Sequence, residues 1–210
     1  MFKIKDICEK FSSLIAQELN LDEDRKSIIN YGLFAFIQII MCISLVVIFG
    51  VIFNVVIEAL IVSFSISILR KSSGGIHASS PRKCAIIGTL YSVGMGLISK
   101  YLNPNFNIII VAGFFIFIWS FYTINKLAPV DSIAKPIKSE EKRKKLKKNS
   151  ILIVFFYLII IIINFLYFYA MRNSIVLTYS LCIYMGLIWQ VFSLTKYSCL
   201  LVGNLDKFFE

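Results

Sequence analysis

The sequence predicts an all-α integral membrane protein: six transmembrane helices preceded by an N-terminal amphipathic interfacial helix. Three observations carry that prediction. Of 210 residues, 58% are hydrophobic and only 16% charged, and the mean hydropathy is +0.80; a soluble domain of this size needs far more polar surface. The apolar residues gather into runs of roughly 20, the length at which a helix crosses the hydrocarbon. Basic residues fall between those runs. Four prolines and ten glycines are too few for a low-complexity or disordered chain.

The elements follow in chain order, within a single domain of residues 1–210. Over residues 2–19, Ile4, Ile7, Cys8, Phe11, Leu14, Ile15 and Leu19 recur at helical spacing with polar residues between them. This pattern predicts a helix lying in the inner leaflet, with packing on the cytoplasmic loops as the alternative. Asp6, Glu9 and Glu18, with no early apolar core, argue against a cleavable signal peptide. Tyr31 to Leu69 holds one formal charge, Glu58, and accommodates two spans, 31–50 and 52–70, joined tightly near Phe49-Gly50 with Asn54 opening the second. A third span, 84–102, stops before Asn103-Pro104-Asn105, and a fourth covers 106–126. The fifth and sixth, 151–170 and 174–194, are separated by Arg172-Asn173.

Orientation follows from the 22 basic residues. With the N-terminus in the cytoplasm, the N-terminal segment, the second and fourth loops and the tail carry 20 of them, leaving Lys100 and Arg172 outside. Lys and Arg beside spans resist translocation, so both termini are expected in the cytoplasm of a multi-pass cell-membrane protein. The net charge of +10 is read as topology signal and attraction to anionic inner-leaflet lipid. No nucleic-acid-binding motif accompanies it, and nucleic acid is not expected as a partner. The five cysteines lack the spacing of a disulfide framework, and a single histidine excludes a His-rich metal site. No cofactor is expected.

One predicted cytoplasmic loop carries chemistry. Arg70 to Cys84 contains the only histidine, His77, seven positions before a cysteine. On a straight helix those side chains would stand roughly 10 Å apart along the axis, too far for proton transfer. Gly74-Gly75 and Pro81 argue against a continuous helix, so the chain can fold His77 back towards Cys84. Ser80 reads as an N-cap and Pro81 as a first helical residue. Cys84 then sits in the first turn of the third span beside Arg82 and Lys83, a setting that favours thiolate. Cys42 and Cys182 lie within apolar runs, and neither Cys8 nor Cys199 has a histidine nearby.

The segment resembles the accessory gene regulator B membrane peptidases. The resemblance rests on Arg70, Gly75, His77-Ala78 and Cys84, on Ala128-Pro129-Val130-Asp131, and on Lys135-Pro136. Chain length, span count and the basic fourth loop agree with it. It implies a cysteine endopeptidase that removes the C-terminal part of a small quorum-sensing propeptide and assists closure of the remainder into a thiolactone or lactone. Carried over by position, Cys84 is the nucleophile and His77 its base. No acidic residue lies between Arg70 and Cys84, so Asp131 is a candidate orienter of His77, and a dyad without a third member is the alternative.

Other polar residues have plainer readings. Glu58 is twelve positions from Arg70, roughly 18 Å of helix, and is left out of the catalytic set. Gly88, Ser92 and Gly96 make a small-residue face for close helix approach, within the chain or in a homodimer. Asn164 and Gln190 are expected to hydrogen-bond between helices. Lys142, Arg143, Lys144, Lys145, Lys147 and Lys148 are read as a surface for an acidic peptide, with lipid anchoring as the competing explanation. The rival function is a peptide transporter or export factor without proteolytic activity, which the lack of clear internal repeats disfavours.

Overall fold

A computed structural model describes residues 2–198 except 77, 79, 103, 104, 132–136 and 138. Among the described residues the chain is helical, with α1 (Phe2–Glu18), α2 (Glu23–Ile52), α3 (Val56–Ser73), α4 (Pro81–Tyr101), α5 (Phe106–Leu127), α6 (Glu140–Met171) and α7 (Ile175–Phe192). A helical turn at 196–198 follows. The chain divides into two compact units, residues 1–45 and 46–210.

In the first unit, α1 has the expected amphipathic pattern, but its buried stripe is Cys8, Ser12 and Ala16. The larger apolar residues Ile7, Phe11 and Leu14 stay exposed, as does Leu19 just beyond the helix. Helix α2 begins at Glu23, eight residues before the expected start of its span. The cause is local: the Asp22 Oδ1 accepts from the Arg25 N–H at 2.9 Å, and Glu23 and Asp24 suit the positive end of the helix dipole.

Helix α6 also starts early, at Glu140 where the span was expected from 151. Ser139 caps it by accepting from the Lys142 N–H, and Glu140 and Glu141 occupy its first turn. The basic run 142–148, expected in a loop, is therefore helical and continuous with the apolar stretch behind it. At 32 residues α6 is about 48 Å long, so its polar start extends beyond a hydrocarbon layer of about 30 Å.

Among the described residues, four helices are long and apolar enough to cross a membrane: α2, α5, α6 and α7. The chain is a helical membrane protein. The second and third expected spans correspond to α3 and α4, which fall short on apolar character. Glu58, Arg70, Lys71 and five serines dilute α3, and Arg82, Lys83 and Lys100 dilute α4. Packing explains how these helices tolerate polar residues: α3 lies against α4, α6 and α7, while α4 lies against α3 and α7.

Interhelical hydrogen bonds satisfy much of that polarity. Tyr157 of α6 donates to the Ser65 carbonyl of α3 at 2.9 Å, and Tyr91 of α4 to the Met185 carbonyl of α7 at 2.9 Å. Asn164 donates to Ser180 Oγ at 3.1 Å, the interhelical bond its position suggested. Close approach depends on small residues. A Cβ at Gly186 would stand 2.6 Å from the Ser65 Cβ and 2.9 Å from the Val62 carbonyl oxygen. At Gly96 it would meet the Ala59 backbone nitrogen at 3.0 Å, so this part of the small-residue face packs within the chain. Around Gly88 there is open space.

Gly186→Val should lower stability by about 1–3 kcal/mol, because the Val62 backbone cannot yield without separating α3 from α7. The check is a lower thermal midpoint in detergent; an unchanged midpoint would show that the two helices tolerate separation.

Candidate functional site

The chain leaves α3 through two glycines. Gly74 has φ +69° and Gly75 φ +129°, conformations that L side chains rarely adopt. Space is equally restrictive: a Cβ on Gly74 would lie 2.1 Å from the Val130 carbonyl oxygen, and one on Gly75 2.6 Å from Ser193 Oγ. The resemblance singled out Gly75, but the structure shows the tighter constraint at Gly74, where the obstructing atom is backbone.

Backbone groups across this exit are bound from three directions. The Gly74 N–H donates to the Arg70 carbonyl at 3.0 Å, closing α3. From beyond α5, the Val130 N–H donates to the Ser73 carbonyl at 2.9 Å, and Gly74 and Val130 form an isolated parallel bridge. From the end of α7, the Gln190 Nε2 donates to the Gly74 carbonyl at 2.7 Å and to Ser73 Oγ at 3.0 Å. The Ile76 N–H donates to the Ser193 carbonyl at 3.2 Å. Arg70 completes the set by donating through its Nη2 to the Ile76 carbonyl. Its Nε is buried with no hydrogen-bond partner among the described residues.

The other side of the loop behaves as its residues suggest. Ser80 is extended at φ −136° and ψ 152°, its Oγ accepts from the Lys83 N–H at 3.3 Å, and Pro81 opens α4. The Cys84 N–H donates to the Ser80 carbonyl at 3.0 Å, which fixes Cys84 in the first helical turn. Its thiol is free and half-buried, and the Arg70 guanidinium lies within electrostatic reach of it. His77 and Ser79 lie outside the described residues. Among the described residues, no three His, Cys, Asp or Glu side chains come together as a metal site.

Asp131 and the basic run meet each other. Arg143 donates to Asp131 Oδ2 at 2.8 Å and to the Pro129 carbonyl at 3.4 Å, and the Ile137 N–H also donates to Asp131 Oδ2. Arg143 thus ties the start of α6 to the segment that binds Ser73 and Gly74. Lys142, Lys144, Lys145 and Lys148 are exposed and Lys147 is half-buried. The contribution of Gln190 and Ser193 escaped sequence reasoning. Gln190 was read only as an interhelical bond, and its position as the single amide near the end of the last span was the signal available.

Gly74→Ala should loosen the exit from α3 while leaving the helices intact. Amide hydrogen exchange over residues 73–76 should quicken at least about tenfold, equivalent to roughly 1.4 kcal/mol of local stability, with helix content unchanged. Unchanged protection there would show that the Val130 contact is dispensable.

The family profile described as accessory gene regulator B matches residues 8–194. A protein described as AgrB-like from Clostridium perfringens (strain SM101 / Type A) is 39% identical over 208 residues, 98% of this chain and 97% of the relative. A second AgrB-like protein, from Clostridium perfringens (strain 13 / Type A), is 37% identical over the same shares of both chains. No solved structure matches the chain. The match from the N-terminal helix to the end of α7 includes every element that builds the candidate site, and the chain belongs to the accessory gene regulator B family.

Proposed function

We propose that this protein is a membrane cysteine endopeptidase that cleaves a small quorum-sensing propeptide near its C-terminal part and assists its cyclisation. The observation that carries the reading is Cys84, a free thiol in the first turn of α4, with the Arg70 guanidinium within electrostatic reach. Family membership and the neighbouring His77 in the chain add to it.

In this reading His77 accepts the thiol proton and the Cys84 sulfur attacks the scissile carbonyl. The tetrahedral intermediate collapses as the C–N bond breaks, and His77 returns the proton to the departing amine. A thiol or hydroxyl within the retained peptide then attacks the thioester. That step closes a thiolactone or lactone and restores the Cys84 thiol without hydrolysis. The Lys83 and Cys84 N–H groups are turned to Ser80, so the oxyanion is assigned to the Arg82 N–H and the Arg70 side chain. Asp131 is paired with Arg143, which favours a Cys84–His77 dyad over a triad.

The same proposal includes the membrane arrangement. Helices α3 and α4 cross the bilayer as do the four more apolar helices, giving six spans in one domain. Both termini and the Cys84 loop face the cytoplasm, where 20 of 22 basic residues would lie. The exposed apolar side chains of α1 suit a helix lying in the leaflet. Lys142, Lys144, Lys145, Lys147 and Lys148, on the first turns of α6, would draw an acidic propeptide towards Cys84 and also touch anionic lipid. A homodimer remains compatible with the open face at Gly88.

Cys84→Ser and His77→Ala should each reduce propeptide cleavage in cells by roughly a thousandfold or more at matched protein level. Normal cleavage in both would overturn the peptidase assignment in favour of a transporter.

Replacing Lys144, Lys145, Lys147 and Lys148 together by Gln leaves Arg143 on Asp131. It should raise KM for the propeptide about tenfold with little change in single-turnover rate, and added salt should narrow the difference. Unchanged KM in detergent, with only membrane insertion impaired, would make the run a lipid anchor.

A further inference from the structure

Gln190 stands near the end of α7, 117 positions from its partner Ser73 and wholly buried. Its amide orientation follows from its neighbours. Ser73 Oγ uses its own hydrogen on the Leu69 carbonyl at 2.9 Å, so it accepts from Gln190, as does the Gly74 carbonyl. Turning the amide over would set its oxygen against two acceptors. In the observed orientation, Oε1 is buried and has no hydrogen-bond partner among the described residues.

A residue kept only to pack α7 on α3 gains nothing from that arrangement. An unbranched apolar side chain of similar length would fill the same space without burying an unsatisfied oxygen. What the amide adds is directional: one nitrogen holds the α3 terminus and the first residue beyond it in fixed register with α7. The next turn of α7 extends the hold, because Ser193 Oγ donates to the Gln190 carbonyl at 2.7 Å and the Ser193 carbonyl accepts from Ile76. Ile76, bound through both its N–H and its carbonyl, immediately precedes His77 in the chain. Its carbonyl partner is Arg70, which lies within electrostatic reach of Cys84.

We propose that Gln190 is a positioning residue for propeptide cleavage, holding the segment from Ser73 to Ile76, and through Ile76 the Arg70 side chain, in one fixed register beside the start of α4. This inference rests on the peptidase reading. Gln190 touches neither the substrate nor the thiol in this role; it acts through the Gly74 carbonyl and the loop beyond. Small misplacements of reacting groups are sufficient to slow chemistry on the order of a hundredfold.

The test compares wild type, Gln190→Met and Cys84→Ser as full-length proteins in liposomes. The peptide probe is a synthetic propeptide with an amphipathic N-terminus, an internal cysteine and an acidic C-terminal part, and the thiol probe is iodoacetamide. Gln190→Met preserves length and apolar packing but removes the donor. It should lower kcat about tenfold to a hundredfold with KM within about twofold of wild type, and slow Cys84 alkylation roughly tenfold at an unchanged thermal midpoint. If Gln190→Met does not accumulate, Gln190→Asn carries the same test, since it keeps the amide but withdraws it by one methylene. Wild-type kcat in the substituted protein overturns the positioning role. So does a fall in activity that merely tracks the loss of folded protein. Cys84→Ser separates the two levels: if it still cleaves, the peptidase reading fails, whereas an inactive Cys84→Ser beside a fully active Gln190→Met removes only the role of Gln190.

Discussion

Where the chain leaves α3, its buried peptide groups must find hydrogen bonds that no helix supplies. Irregular backbone shielded from water is tolerated only when neighbouring protein satisfies it. The solution draws on α7 for Gln190 and Ser193, on the segment after α5 for Val130, and on α3 itself for Arg70. Much else in residues 46–210 follows from that requirement. Helix α7 must approach α3 closely enough for one amide to reach Gly74, and Gly186 facing Ser65 permits it. Residue 74 must also be glycine, because its φ and the Val130 carbonyl leave no room for a side chain.

The distribution of polarity has the same origin. Helices α2, α5 and α6 carry apolar residues on broad exposed surfaces, as lipid contact demands. Helices α3 and α4 hold serines, tyrosines and charges where they face α7, α6 and each other. Each polar group placed among helices needs a partner, and Ser65, Tyr91, Tyr157 and Ser180 have theirs across helix boundaries.

The basic start of α6 has two roles that a charge count merges. Arg143 is a structural link, holding Asp131 and the Pro129 carbonyl and through them the strand-like contact of Val130 with Gly74. The surrounding lysines project from a helix continuous with an apolar span. A peptide attracted to them would meet a rigid element coupled to the exit from α3.

The helical class, the capping of α4 by Ser80 and the first-turn placement of Cys84 were legible in the sequence. These are local matters: apolar run length, capping chemistry and the fixed φ of Pro81 act within a few residues. At α2 and α6 the helix runs on ahead of the apolar stretches, because Asp22 and Ser139 cap it in polar sequence. Tertiary structure alone decided which residues hold the Cys84 loop. Gln190 is 116 positions from the carbonyl it binds, and Asp131 meets Arg143 from the start of α6. Such pairings depend on which helix faces meet, and a hydropathy pattern records how apolar a face is without recording what lies opposite it.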